Sequence, residues 1–210
     1  MLLWINGPFG GGKTQTAYEL RRRLPGSVVC DPEHVGFGLN RTLPPALRGD
    51  FQDLAAWRRG VVEVLDLALT RHDGVVIAPM TVTDSGYFAE TVGRLGELGH
   101  DVRHFTLMAE RSTVLRRLRE RGPFHLLPGA GRRAGVPRRE SWAVQRLDHC
   151  LERLARPEFA EHLWTDRTSV PRTADRIAVL AGLALTPHRD GPLRTRLRQA
   201  GVGLRHIRFD

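Results

Sequence analysis

At 210 residues and 23.6 kDa, with 41% hydrophobic and 26% charged residues, the chain has the size and polarity of one globular domain that can bury a core. No run approaches the roughly 18 apolar residues of a spanning helix, and MLLWIN passes straight into glycines with no leader-like pattern, so a cytoplasmic protein is expected over a membrane-spanning or secreted one. The net charge of +9 is local: residues 116–146 hold nine Arg against two Glu and residues 186–210 six Arg against two Asp, which argues against a general nucleic-acid footprint.

Strand-like and helix-like stretches alternate from the first residue. Leu2–Asn6 reads as a buried strand, followed by a glycine loop, a helix over Thr14–Leu24 that stops before Pro25-Gly26, and a short strand over Ser27–Cys30. Helical spacing over Phe51–Arg71 leads to a β-branched strand, Gly74–Ala78, bounded by Pro79. A helix over Tyr87–Leu98, a strand over Val102–Leu107 and an Arg-rich helix over Ser112–Arg121 follow. Residues 122–140 have no usable periodicity and are rich in Gly, Pro and Arg, which reads as a basic flap or, alternatively, a solvated insertion. Helical spacing resumes over Trp142–Leu154, then a short strand over His162–Thr165 and a helix over Thr173–Leu183. The alternation predicts an α/β fold of three layers, a central parallel sheet covered by helices on both faces.

Gly7-Pro8-Phe9-Gly10-Gly11-Gly12-Lys13-Thr14 satisfies G-x-x-x-x-G-K-[ST], after a predicted strand and opening a predicted helix. Glycines let main-chain N–H groups turn around a phosphate, the helix start adds its positive end, Lys13 reaches the β- and γ-phosphates and the Thr14 hydroxyl reaches Mg²⁺, so ATP and magnesium are the expected ligands, with Gln15 at the edge of the nucleotide site. Of 32 basic residues only Lys13 is lysine, which marks a need for a compact ammonium there. Cys30 and Cys150 have neither metal-site spacing nor ligand partners and are expected as packing residues.

The strand over Gly74–Ala78 ends in Pro79-Met80-Thr81 rather than in the aspartate that motor and switch P-loop proteins place there. A small-molecule kinase needs less: a carboxylate after the second strand and arginines on a lid. Asp31 follows the second strand, on the edge where ligands of parallel sheets bind, and is the candidate base; the alternatives are an Asp that merely starts the turn ahead of Pro32, and Glu33 as the carboxylate. Arg117 and Arg121 are the candidate catalytic lid arginines, among Arg116, Arg119, Arg132, Arg133, Arg138 and Arg139. Phe37, Trp57, Arg58 and Met80 complete the candidate substrate site with Asp31 and Glu33.

The segments WINGPFGGGKTQTAYELRRRL, DPEHVGFGL, DFQDLAAWR, VVIAPMTV, YFAETVGRL, HFTLMAERSTVLRRLR, SWAVQRLDHCLERLARPEF and LRHIR resemble the tunicamycin-resistance proteins of the TmrB kind, from Leu2 to about Arg208. The resemblance implies ATP binding at Gly7–Thr14, an acceptor site at Asp31, and a ligand, tunicamycin, that carries uridine, N-acetylglucosamine and a fatty acyl chain. The longer Gly/Pro/Arg stretch around residues 122–140 departs from that family. Residues 1–185 are therefore read as a P-loop kinase-like domain with a lid over about 119–141, and residues 186–210 as a basic tail. On a helical wheel Leu193, Leu197, Ala200, Leu204 and Ile207 share a stripe flanked by arginines, the pattern either of a helix on an anionic membrane surface or of one packed on its own domain. The expected reaction is Mg²⁺/ATP-dependent phosphorylation of a hydroxyl on tunicamycin or a related nucleoside antibiotic. The alternatives are sequestration of the drug without transfer and a metabolic nucleoside or nucleotide kinase.

Overall fold

A computed structural model describes residues 1–120, 138–191 and 201, with the backbone alone for 138–145. Most of the predicted lid, with Arg121, Arg132 and Arg133, and the tail stripe from Leu193 to Ile207 therefore lie outside the described residues, as do the side chains of Arg138 and Arg139.

Five parallel strands make the sheet: β1 (Leu2–Asn6), β2 (Val28–Val29), β3 (Val76–Pro79), β4 (Val102–Met108) and β5 (His162–Trp164), in the order β2-β3-β1-β4-β5. β1 is central and runs in register with both neighbours, Ile5 opposite Pro79 on one side and Phe105 on the other. All five of its residues are buried, as a strand covered on both faces demands. Side chains alternate between the two faces. Leu2 and Trp4 join Trp57, Val61 and Leu65 of α3 (Ala55–Arg71), with Val76 and Ala78, in one core cluster. Leu3 and Ile5 join Ala17 and Leu20 of α1 (Lys13–Arg23) and Ala174 and Ile177 of α8 (Val170–Leu180) in the other. Each fully buried aliphatic side chain contributes about 1.5–3 kcal/mol, so these two layers hold the sheet edge rigid beneath the loops.

Four segments depart from the sequence expectation. α2 (Glu33–Thr42) was not foreseen, because HVGFGL carries two glycines; Gly36 is needed there, since a Cβ would stand 2.3 Å from Phe51 Cγ. The helix expected over Phe51–Arg71 is a 3-10 turn, Phe51–Asp53, and then α3, because the Asp50 carboxylate accepts from Gln52 N at 3.1 Å and starts the turn separately. The helix expected from Tyr87 starts earlier, as α4 (Ser85–Phe88) capped by Asp84, and continues through a π-helical segment, Ala89–Gly93, into α5 (Arg94–Glu97). β3 takes in Pro79, whose missing N–H the register tolerates at the end of the strand. The remaining helices, α6 (Arg111–Glu120) and α7 (Arg138–Leu154), lie close to their expected spans.

The chain after α8 returns to α1. Thr186 N donates to Arg23 O at 2.8 Å, Arg23 Nε donates to Thr186 O at 2.8 Å, and His188 Nδ1 stands 2.9 Å from Glu19. The first residues of the basic tail are thus strapped to the domain across the expected boundary at 185. Among the described residues, no helix is long and apolar enough to cross a membrane.

His104, on β4, packs its ring against Phe88 with centroids 4.6 Å apart, and its Nδ1 pairs with Ala160 O at 3.1 Å. Burial lowers its pKa from 6.5 to about 4. Because the unfolded chain binds this proton more readily, the neutral ring's contribution is complete above about pH 6.5 and is lost as the pH falls toward 4. Thermal unfolding between these values should therefore fall more steeply for the native protein than for His104→Gln, which keeps a donor for Ala160 and does not titrate; parallel curves would refute the assignment.

Candidate active site

β1 ends at Asn6 and delivers the glycine loop to the carboxyl edge of the sheet, between β3 and β4. Gly7 lies so close to β4 that a Cβ there would stand 2.7 Å from Leu107 O. Gly10 adopts φ +81°, and a Cβ would meet Leu118 Cγ and Val114 Cγ1 of α6, each at 3.1 Å. Gly12, at the N-cap of α1, gives the helix no side-chain cap, so its first N–H groups form a seat for an anion.

Lys13 is buried inside the loop. Its Nζ donates to Gly7 O and Pro8 O, both at 3.0 Å, and lies 5.7 Å from the Phe9 ring centroid. Main-chain N–H groups, one ammonium and the Thr14 hydroxyl make a set dominated by donors, which fits a polyphosphate. Thr14 Oγ1 has no partner among the described residues. Among the described residues no three His, Cys, Asp or Glu side chains cluster as a metal cage.

The start of the loop is fixed by two residues that sequence reading passed over. Asn6 Oδ1 accepts from Gly7 N at 2.8 Å and Val82 N at 3.0 Å, while its Nδ2 donates to Val82 O at 2.8 Å. Thr81 Oγ1 donates to Gly7 O at 2.8 Å. Both side chains are buried, and three short bonds clasp the end of β1 and the start of the loop to the segment after β3. Where motor and switch P-loop proteins place an aspartate, the segment after β3 offers a neutral hydroxyl, Thr81, that holds the loop's main chain. The sequence signal was present, a polar residue immediately before the loop and another just after β3, but nothing in the sequence says that they meet.

Asp31 leaves β2 on the same edge, one strand beyond β3, where Cys30 N still donates to Ile77 O at 2.9 Å. Its Oδ1 accepts from Glu33 N at 3.0 Å, which starts α2, so the turn-forming role weighed in the sequence is real; Oδ2 carries no bond among the described residues. Trp57 Nε1 donates to Pro32 O at 3.0 Å and props this turn from below. Trp57 and Met80, expected to meet substrate, are instead core residues, because both side chains are consumed in the layer under the site. Phe37 stands edge-on to Phe51 with centroids 5.5 Å apart.

Two arginine expectations are also revised. Arg58 is spent on Glu90 at 2.6 Å, on Gln52 O at 2.5 Å and on the Tyr87 ring at 4.4 Å, a network that fastens α3 to α4. Arg117 donates to Thr165 Oγ1 at 3.0 Å and Thr165 O at 2.6 Å, tying α6 to the loop after β5. Burial lowers its pKa from the ordinary arginine value, with Asp166 as the largest opposing influence. Arg119, beside Glu110, Arg111, Ser112 and Leu115, borders an open cavity of about 550 Å³. The Cys150 thiol is pushed up to about 11 by burial and the Cys30 thiol is raised by burial, so both behave as the packing residues expected.

Gly10→Ala places a side chain in the left-handed region, at a cost of about 1–2 kcal/mol, and against α6. A lower melting temperature together with at least a tenfold loss of ATP affinity is expected; calorimetric titration matching the native protein would show that the loop does not seat the phosphates.

Comparison with known proteins agrees with this geometry. The AAA domain family matches residues 2–125. No curated protein sequence matches significantly. The structure of a tunicamycin resistance protein from Deinococcus radiodurans is 32% identical, covers 89% of this chain and 99% of its own, and superposes with a TM-score of 0.71. The fold is also that of a sugar kinase from Janibacter sp. HTCC2649 (16% identity, 89% and 98% coverage, TM-score 0.54) and of the shikimate kinase of Bacteroides thetaiotaomicron (16%, 87% and 99%, 0.56). With its complete phosphate loop at the head of a five-stranded parallel sheet, the chain belongs to the tunicamycin-resistance family of kinase-like P-loop proteins.

Proposed function

We propose that the protein is an ATP-dependent phosphotransferase that phosphorylates a hydroxyl of tunicamycin or a related nucleoside antibiotic. The observation that carries this reading is a buried Lys13 inside a complete phosphate loop, with the Asp31 carboxylate on the same sheet edge, in a chain similar over nearly its whole length to a tunicamycin resistance protein. Sugar and shikimate kinases share the fold, and both act on small hydroxyl-bearing molecules by name.

The loop N–H groups and Lys13 bind and orient the polyphosphate; Lys13 neutralises charge between the β- and γ-phosphates. Asp31, through Oδ2, accepts the proton of the acceptor hydroxyl as its oxygen bonds to the γ-phosphorus. The bond from that phosphorus to the bridging β-oxygen breaks, and ADP leaves with the electron pair. Thr14 is the residue that would hold Mg²⁺, which would supply charge neutralisation on the phosphate oxygens. Asn6 and Thr81 hold the loop's first peptide so that none of this requires the main chain to reorganise. A negative phosphate on the sugar or uridine portion would spoil the drug's mimicry of a nucleotide sugar. The basic tail, in the same reading, meets a lipid-tailed drug at an anionic membrane surface.

Incubating the protein with ATP, Mg²⁺ and tunicamycin should add one phosphoryl group to the drug by mass spectrometry. Asp31→Asn should reduce that transfer by roughly 10²–10⁴-fold while still binding ATP. Unmodified drug that remains tightly bound would mean sequestration instead, and ATP consumption indifferent to the drug would mean a metabolic kinase.

A further inference from the structure

With Arg117 turned toward Thr165 and Arg58 toward Glu90, neither of these two arginines is turned to the phosphates, and the described residues hold another on α7. Leu147 and Leu151 of this helix pack with Val114 and Leu118 of α6 and with Phe9 of the phosphate loop. One face round, Cys150 and Leu154 pack on Met108, at the end of β4, and on Phe159. α7 therefore crosses the carboxyl edge of the sheet directly over the loop. Its next residue toward β3, Arg153, reaches Asp84 with Nη1 3.3 Å from Oδ2.

That contact is long for a charge-assisted bond, and it engages one nitrogen of five possible N–H donors. Arg153 Nε is buried and has no hydrogen-bond partner among the described residues. A buried guanidinium nitrogen without an acceptor is costly, and such a nitrogen is open to an incoming anion or to water. Asp84 belongs to the same short segment as Thr81 and Val82, which are bonded to Gly7 and Asn6. Arg153 is thus joined to the start of the loop through Asp84 and this segment, with Nε lacking an acceptor among the described residues on one side and a weakly engaged carboxylate on the other. Asp84 has a second duty, accepting from Tyr87 N at 3.0 Å to cap α4, and so it stays in place when the arginine turns.

We propose that Arg153 is a catalytic residue that contacts the γ-phosphoryl group of ATP, its fork taking two equatorial oxygens when the nucleotide binds, with Asp84 holding the side chain ready beforehand. It rests on the ATP reading of the loop but not on the identity of the acceptor. The consequence is discrimination between nucleotides: ATP offers the γ-oxygens and ADP does not.

The test is the dissociation constant of Mg-ATP and Mg-ADP for the full chain by calorimetry, without drug, for the native protein, Arg153→Lys and Arg153→Met. Loss of about tenfold in ATP affinity, with ADP affinity unchanged within twofold, is expected for Arg153→Met, and an intermediate loss for Arg153→Lys, which keeps charge but not the fork. Should the methionine variant fail to fold, the lysine variant carries the comparison. Equal changes for ATP and ADP, or none, would overturn the proposal while leaving the kinase reading intact. A native protein that binds neither nucleotide would remove the ATP reading and this proposal together. Normal discrimination loss without phosphorylation of tunicamycin would sustain Arg153 and discard the acceptor.

Discussion

The Gly7 carbonyl is the joint on which the site depends. It accepts from Thr81 Oγ1 at 2.8 Å and from Lys13 Nζ at 3.0 Å, and the peptide that precedes it is gripped through its N–H by Asn6. A P-loop works by presenting main-chain N–H groups to a phosphate, and those groups are only as well aimed as the peptides that carry them. Here the aim is set by side chains from the end of β1 and from the segment after β3, both buried, whose hydrogen bonds are worth more where water is excluded. The same carbonyl parks the ammonium, so the geometry of the loop and the position of its one lysine are a single arrangement.

Charge is distributed to match. A guanidinium suits fastening and bidentate recognition, because its planar fork fits carboxylates and carbonyl pairs, whereas a phosphate loop has room for one compact cation. Arg23, Arg58 and Arg117 all fasten elements to one another, to Asp175, Glu90 and Thr165 in turn. These three are spent on fastening, whereas Arg153, in a segment with no excess of positive charge, is held by a single 3.3 Å contact to Asp84.

Much of the fold was legible from residues alone. Five apolar runs, each too short for a helix and separated by helical spacing, became five parallel strands, and the glycine loop stood where motif and context placed it. α2 was illegible because its two glycines mask helical periodicity, and the reason for Gly36 is the Phe51 ring fifteen positions away. The sequence places Trp57 and Met80 close to candidate site residues, but the faces of α3 and the segment after β3 turn their side chains inward. Neighbourhood along the chain predicts an element's place better than it predicts which way a side chain points.

By itself, then, the sequence determined the phosphate loop, the strand and helix that frame it, the carboxylate after the second strand and the uniqueness of Lys13, because each depends on local backbone chemistry and on a spacing of a few residues. Only the tertiary structure decided which groups hold that loop and which arginines are engaged elsewhere. Asn6 meets Val82 across 76 positions, Arg117 meets Thr165 across 48, and Arg153 meets Asp84 across 69. Contacts of that separation are chosen by the packing of whole layers, since a side chain finds its partner only after burial has fixed the elements that carry both.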